Sequence, residues 1–372
     1  MDGSDLLRFL LILAALFFAC LALLFYWIAS VRRPIRLWRS AKNPILRPDP
    51  THWWESEAVF NPAALYHDGR VHLFYRAMGH DGVSRVGHVS SADGIHFDER
   101  SPTPVFDKKP DFHPPPKVSY ATLTYDTDQY ASGGGWGGVE DPRVVKIDDR
   151  IYMTFSVFEG WQSIRLGVTS MLHRDLDDRA WNNWLPYIPM SPRGQTHKNW
   201  VLFPEKINGK FAILHALTPT IMIEYVDDLE NLRDKPIQSN NHRSGRKGKW
   251  DVIIRGAGAP PIYTPYGWLL LYHGFDPNNG PGYNVGAMLL DLHEPEKILY
   301  QTDEPILQPT EWYENDWKPG VTYASGACVV KGELFVYYGG GDKYIAAAHA
   351  PLRDFLRKLM THQHAVLTPV KV

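Results

Sequence analysis

Cysteine is nearly missing from this chain. The two present, Cys20 and Cys328, are far apart, and the first lies inside an apolar N-terminal run. A disulfide framework is therefore excluded; a reducing compartment fits this usage but is not required by it. Neither sign of charge dominates, since 39 basic residues oppose 41 acidic ones for a formal charge of −2. That leaves no global field to gather nucleic acid, and a charged ligand must be met by a local site. No GxxxxGK[ST], HExxH or paired CxxC occurs, so a phosphate-binding loop and the commonest zinc sites are not read, and no metal or cofactor is expected. Helical periodicity is scarce as well. After the N-terminal run no 3.6-residue pattern appears until "APLRDFLRKLM" near the C-terminus, which leaves an all-β chain.

One long hydrophobic run is present. Residues 9 to 31, "FLLILAALFFACLALLFYWIASV", carry no charge, and at about 1.5 Å per helical residue they would extend roughly 34 Å. A transmembrane helix is expected here rather than a secretory signal, whose apolar region is shorter and whose flank is basic. Arg32, Arg33, Arg36 and Arg39 follow the run, whereas Arg8 precedes it beside Asp2 and Asp5. The positive-inside rule then places the rest of the chain in the cytoplasm. The expected organisation is an anchor over residues 1–32 and one catalytic domain over 33–372, in a single-pass membrane protein.

Beyond the anchor, short apolar runs alternate with Gly, Pro, Asn and Asp turns, and one phrase returns five times. It reads "NPAALYHDGRVHLFYRA" from Asn61, "EDPRVVKIDDRIYMTF" from Glu140, "FPEKINGKFAILHA" from Phe203, "APPIYTPYGWLLLYHG" from Ala259 and "ASGACVVKGELFVYYGG" from Ala324. The turn pairs Asp68-Gly69, Asp148-Asp149, Asn208-Gly209, Tyr266-Gly267 and Lys331-Gly332 are mostly dipeptides that two-residue hairpins prefer. The openings recur at roughly 55 to 80 residues, room for a four-stranded sheet each, and five such sheets arranged radially make a five-bladed β-propeller; two packed sandwiches are the rival. Between blades, residues 231–249 hold six Lys or Arg against one Asp and read first as a solvated loop, second as a substrate lid or a contact with anionic lipid. Residues 107–119 are too rich in proline for a central strand.

If the first strand of each phrase lies innermost, the polar openings meet around one channel. Glu140 and Asp141 stand where a glycine loop gives way to an apolar strand, and Pro142 biases Asp141 toward extended backbone. An isolated "EDPR" is most simply a structural carboxylate beside Arg143; the repetition of polar openings shifts the reading toward a site. Lys206 in "FPEK", His215 in "ILHA" and His273 in "LLYHG" occupy comparable edges, so cations face carboxylates across the channel. An acid opposite cations suits transfer of a glycosyl group to an anion: the acid protonates the leaving oxygen while the cations hold phosphate on the other face of the sugar. Abundant Trp and Tyr suit stacking on sugar rings or filling a β core. The run "SGGGWGGVEDP" precedes a strand and so is no dinucleotide fingerprint; it is read as a mobile loop carrying Trp136 over the pocket.

With "FNPAALY", "LFYRA", "SRVGHVSSADGIHF", "GVEDPRV", "LFPEKINGKFAILH", "GAGAPPIYTPYGWLLLYHG", "GAMLLDLHEPEKIL" and "VYYGGGD", the chain resembles glycoside hydrolase family 130, the β-mannoside phosphorylases and related β-mannosidases, from about Asn61 to Leu352. The resemblance implies a five-bladed β-propeller and an inverting reaction of a β-mannoside with inorganic phosphate as co-substrate, giving α-mannose 1-phosphate. It implies Asp141 as proton donor, acting through a hydroxyl of the mannose ring. Asn61, Arg76, Arg85 and Asp93 are then sugar-site residues together with Glu140 and Asp342, while Lys206, His215, His273 and Arg165 form the phosphate cradle. One departure is "LHAL" at Leu214 to Leu217 where members often read "LHRP", so Ala216 stands in place of an arginine. Hydrolysis, with Glu205 or Glu140 as base, is the alternative, as are mannosyl transfer from a nucleotide sugar and a non-catalytic glycan-binding propeller.

Overall fold

The structure, a computed structural model, describes residues 3–31, 35–107, 133–158, 163–240, 242–279 and 282–362, with side chains in the N-terminal helix from residue 10 to residue 25. That helix, α1 (Gly3–Val31), shows the apolar run to be helical. Among the described residues no helix is long and apolar enough to cross a membrane. The expected transmembrane anchor is corrected accordingly, and with it the single-pass membrane localisation and the membrane as a partner.

After a short strand, β1 (Trp38–Arg39), the chain builds five antiparallel units. The first is β2 (Ala58–His67), β3 (Arg70–Met78), β4 (Val83–Ser91) and β5 (Glu99–Arg100); the second is β6 (Gly137–Ile147), β7 (Arg150–Phe158), β8 (Ile164–Leu172) and β9 (Ile188–Pro189), with a helical turn α2 (His173–Asp177) after β8. The third is small, β10 (Val201–Leu202), β11 (Phe211–Ala216) and β12 (Met222–Val226). The fourth contains β13 (Ile253–Ala257), β14 (Ile262–Thr264), β15 (Gly267–Phe275), β16 (Asn284–Leu290) and β17 (Ile298–Gln301). The fifth is β18 (Thr322–Val330), β19 (Glu333–Gly340) and β20 (Tyr344–Pro351), followed by the helix α3 (Leu352–His362). A short parallel pairing of β4 with β6 links the first two units into one sheet.

The hairpins close as their turn residues demand. Asp68 and Gly69, Asn208 and Gly209, and Lys331 and Gly332 all have positive φ, the backbone of a two-residue turn whose twist matches its strands. Successive residues of one strand then serve two neighbours. On β19, Leu334, Val336 and Tyr338 pack with Leu269 and Leu271 of the fourth unit, while Tyr337 packs with Leu73 and Tyr75 of the first. On β15, Leu270 and Tyr272 turn instead to Leu214 of the third, and Ile213 beside it turns to Leu166 and Val168 of the second. Phe74 of the first unit meets Met153 and Phe155 of the second. Five apolar layers therefore close a ring, each layer lying between two sheets, which is a five-bladed propeller. Because both faces of each blade are covered, its strands read as continuous apolar runs instead of alternating ones.

The ring is locked by the chain's beginning: β1 pairs antiparallel with β20, the outer strand of the last blade. Arg39 adds two hydrogen bonds to the buried Glu314, from Nε at 2.8 Å and from Nη2 at 2.9 Å. The "APLRDFLRKLM" pattern forms α3 as its period requires, with Phe355, Leu356 and Leu359 on the layer between blades four and five. The basic segment 231–249 is more than a solvated loop. Leu232 and Ile237 are buried in the layer between blades two and three, and its later residues reach the axial cavity. Of the proline-rich connection, residues 108–119 lie outside the described residues.

Candidate active site

Each blade's inner end carries the same defect. The pairing of β2 with β3 skips between Phe60 and Ala63, that of β6 with β7 between Glu140 and Arg143, and that of β18 with β19 between Ala324 and Gly326. In the fourth blade the skip leaves out Arg255, and in the third, between β11 and β12, it leaves out His215. A bulge pushes the unpaired residue off the ladder and re-aims it. Proline cannot donate to a ladder, so Pro62 and Pro142 are accommodated there without loss. Asn61 and Asp141, just before them, have φ of 49° and 51°. This is the left-handed region that Asn and Asp tolerate best among residues with a Cβ. The extended backbone expected for Asp141 is thus corrected; its strained backbone is fixed by the bulge, as often occurs where geometry matters for function. The approach is close enough that a Cβ on Gly339 would meet Asn61 Oδ1 at 2.2 Å.

Of the bulged residues, Asn61, Asp141, His215 and Arg255 line an axial cavity of about 370 Å³ with aromatic walls from Phe60, Phe158, Trp200, Tyr283 and Tyr323. Asp141 Oδ1 accepts a hydrogen bond from Asn61 Nδ2 at 2.8 Å and lies 3.4 Å from Arg76 Nη1. Behind it, the fully buried Glu140 takes Arg76 Nη2 at 3.0 Å and Lys198 Nζ at 3.0 Å on its two oxygens. Burial works to raise the Asp141 carboxyl, but Arg76, Lys198 and Arg143, with the Asn61 hydrogen bond, outweigh it and hold the group below the usual carboxylate range. Arg143 stitches the blades. It donates to the carbonyls of Gly258 (2.6 Å) and Asp141 (2.8 Å) and to the hydroxyl of Tyr323 (3.1 Å). Across the cavity, Lys318 Nζ sits 2.7 Å from Asp342 Oδ2, and Arg255 Nε donates to Tyr283 at 2.8 Å.

A sequence model for glycoside hydrolase family 130, described as beta-1,4-mannooligosaccharide phosphorylase, matches residues 127–361. The chain belongs to glycoside hydrolase family 130. The 1,2-beta-oligomannan phosphorylase of Thermoanaerobacter sp. (strain X514) is 35% identical over 329 residues, covering 86% of this chain and 99% of that protein. The beta-1,2-mannobiose phosphorylase of the same organism is 36% identical over 327 residues, covering 84% and 96%. A solved structure of the Listeria innocua beta-1,2-mannobiose phosphorylase, in complex with beta-1,2-mannobiose, superposes with a TM-score of 0.67 at 24% identity and covers 87% of this chain and 99% of its own. That likeness bears on the fold.

Within this family 130 propeller, the expected site residues divide. Asn61, Arg76, Asp141, His215 and Asp342 line the cavity, and Glu140 backs it. Arg85 does not line it: on the third strand of its blade it pairs with Asp81 at 2.6 Å and lies over Trp53. Asp93 is on the surface, capping the turn to His96. Lys206 is at the far end of its blade, 3.0 Å from Asp148 on the neighbouring hairpin turn, and Glu205 is exposed beside it. His273 is buried against Tyr323, ring to ring at 4.3 Å, and among the described residues neither ring nitrogen has a partner with good hydrogen-bond geometry. Burial, with Arg143 nearby, lowers it to about 3, so it is a neutral wall and not a cation. Arg165 donates from Nε to the Ser191 carbonyl, off the cavity lining. His215 does line the cavity, but burial lowers it to about 4, so near neutral pH it offers a neutral ring. Trp136, read as a lid, is instead buried against Phe158 and Ile164, with its Nε1 donating to the Asp81 carbonyl at 2.6 Å.

Lys198, Asn199, Arg255 and Lys318 were not read from the sequence. Asn199 has φ 65°, the same backbone as Asn61 and Asp141, and it bonds the Arg255 carbonyl at 2.9 Å and the Tyr323 hydroxyl. It is the third blade's counterpart of those two residues. The signal was the Asn in "HKNW", a residue suited to left-handed backbone just before a strand. The "FPEK" phrase begins four residues after Asn199, and its Lys206 lies eight residues beyond Lys198.

Proposed function

We propose that the protein cleaves β-mannosides with inorganic phosphate, inverting the anomeric centre to give α-mannose 1-phosphate, with Asp141 as the acid. A single observation carries this reading: an acid fixed by Asn61 and Arg76 shares one cavity with Lys198, Arg243 and Arg255, while among the described residues no second carboxylate stands free there to serve as base. Glu140 is held by Arg76 and Lys198, Asp342 by Lys318, and Glu205 lies on the surface. Phosphate needs no base because it arrives anionic. Its oxygen attacks C1, the C1 to oxygen bond breaks on the opposite face, and the proton of Asp141 passes to the leaving oxygen. Asp141 is ionised while Arg76, Lys198 and Arg143 face it; a phosphate dianion in the cavity offsets their field and favours the protonated acid.

Lys198, His215, Arg243 and Arg255 make the better phosphate cradle, in place of Lys206, His273 and Arg165. Arg243 answers the departure at Ala216. The segment that carries it is tied to the end of β11, where Ser239 Oγ bonds His215 Nδ1 at 2.8 Å and Thr218 Oγ1 donates to the His242 carbonyl at 2.9 Å. An insertion thereby returns a cation to a wall where the strand supplies alanine. Asn61, Asp141 and Asp342 hold the mannose. The β-1,2 linkage is the substrate class we favour, because the relatives at 35% and 36% identity are named for it, and the relative named for β-1,4-mannooligosaccharides is 28% identical. The test is to incubate the protein with β-1,2- and β-1,4-mannobiose, with and without phosphate. Mannose 1-phosphate should form only with phosphate, faster from the β-1,2 disaccharide; free mannose released equally in both conditions makes the protein a hydrolase.

A further inference from the structure

On the outer side of the first two blades, three metal-ligating side chains converge that the reaction does not use. His67 is the last residue of β2, about 20 Å along the strand from Asn61. His173 and Asp177 lie one turn apart on α2 and so share a face. One donor atom from each lies within 4.8 Å of the other two. His67 Nε2 is 3.1 Å from Asp177 Oδ1, and His173 Nδ1 is 3.9 Å from Asp177 Oδ2. His173 Nδ1 is itself buried and makes no hydrogen bond among the described residues, an uncommon state for a polar atom. The two imidazole rings meet edge to face at 5.6 Å.

We propose that His67, His173 and Asp177 form a zinc site that ties blade one to blade two. Around zinc, with bonds near 2.0 Å, tetrahedral ligand atoms sit roughly 3.3 Å apart. The first pair already meets that spacing, and a small rotation of the His173 ring brings in the second. Two imidazoles and a carboxylate suit a borderline ion such as zinc and disfavour magnesium and calcium, which take oxygen ligands. The His173 and Asp177 side chains are partly exposed, which gives the ion an entry path and leaves a fourth position for water. Binding displaces the proton that His67 shares with Asp177, and it stabilises the folded state because the unfolded chain holds no such cluster.

The full chain, free of any affinity tag and stripped with chelator, should bind one more equivalent of zinc than His173→Ala or Asp177→Asn, and zinc should raise its Tm by a few degrees. Cobalt in place of zinc should give the visible absorption band of a tetrahedral site, lost in both variants while mannoside turnover is unchanged. Equal zinc stoichiometry and Tm response in wild type and variants would overturn the proposal. So would the absence of a cobalt band in the wild-type protein, or a Tm rise with magnesium as large as that with zinc.

Discussion

Blade three carries Lys198 and Lys206 at opposite ends, and each forms an ion pair at 3.0 Å. At the inner end, Lys198 meets Glu140, whose side chain is 0% exposed, and the pair sits against Asp141 and Arg76. At the outer end, Lys206 meets Asp148, 70% exposed on a hairpin turn. Distance and chemistry are the same, yet the surroundings give them different weight. An exposed pair gains little over hydration, whereas a buried carboxylate stripped of a partner keeps its desolvation penalty and loses the compensation. The third blade sorts its two lysines this way: Lys198 joins the charge shared around the cavity, and Lys206 pairs at the surface.

The sharpest way to break that comparison is at the inner end itself. Asp141→Asn keeps the shape and the Asn61 and Arg76 neighbours but carries no transferable proton. Mannose 1-phosphate formation should fall by about 10²- to 10⁴-fold with the fold intact; a loss of less than about tenfold would remove Asp141 as the acid.

Next comes the direct contrast of the lysines. Lys198→Met should lower stability by up to about 3 kcal/mol, the low end for unpairing a buried charge because Arg76 remains on Glu140. It should also raise the KM for phosphate. Lys206→Met should change stability by less than about 1 kcal/mol and leave kinetics alone. Denaturant melts and phosphate titrations of the two variants decide it; equal effects would erase the distinction between the ends.

The smallest effect concerns protons. His215 and His72 are lowered to about 4, and His273 to about 3, in each case chiefly by burial. Their unfolded values lie near 6.5, so between about pH 6.5 and 4 the unfolded chain binds more protons, and stability falls as pH falls through that window. Tm measured from pH 7 to pH 4.5 should decline before most carboxylates titrate. A flat Tm over that interval would mean these rings are not held neutral.

Much of this was legible because local rules coincide. The turn pairs named four of the hairpins through the positive φ that Gly, Asn and Asp accept, and "FNP" and "EDP" marked the two proline bulges that carry Asn61 and Asp141. The third blade misled because β10 has only two residues. Its hairpin therefore reads from Phe203 while its bulge-like Asn199 lies before the strand. Arg85 and Asp93 look alike with Arg76 in a one-dimensional pattern, but they belong to the third strand and a distal turn, so radial distance from the axis separates them. The membrane anchor was read from the length of the apolar run, whereas among the described residues no helix is long and apolar enough to cross a membrane.

The sequence by itself determined the hairpin repeat, the all-β character and the place of the carboxylate Asp141 in "EDPR", since backbone tolerance and strand period are properties of a few neighbouring residues. Which cations face that acid was decided by tertiary structure alone. Lys198, Arg243 and Arg255 come from separate segments, and only closure of the ring brings them to the wall of one cavity, where Lys198 joins Arg76 and Arg143 in holding the buried Asp141 carboxyl ionised.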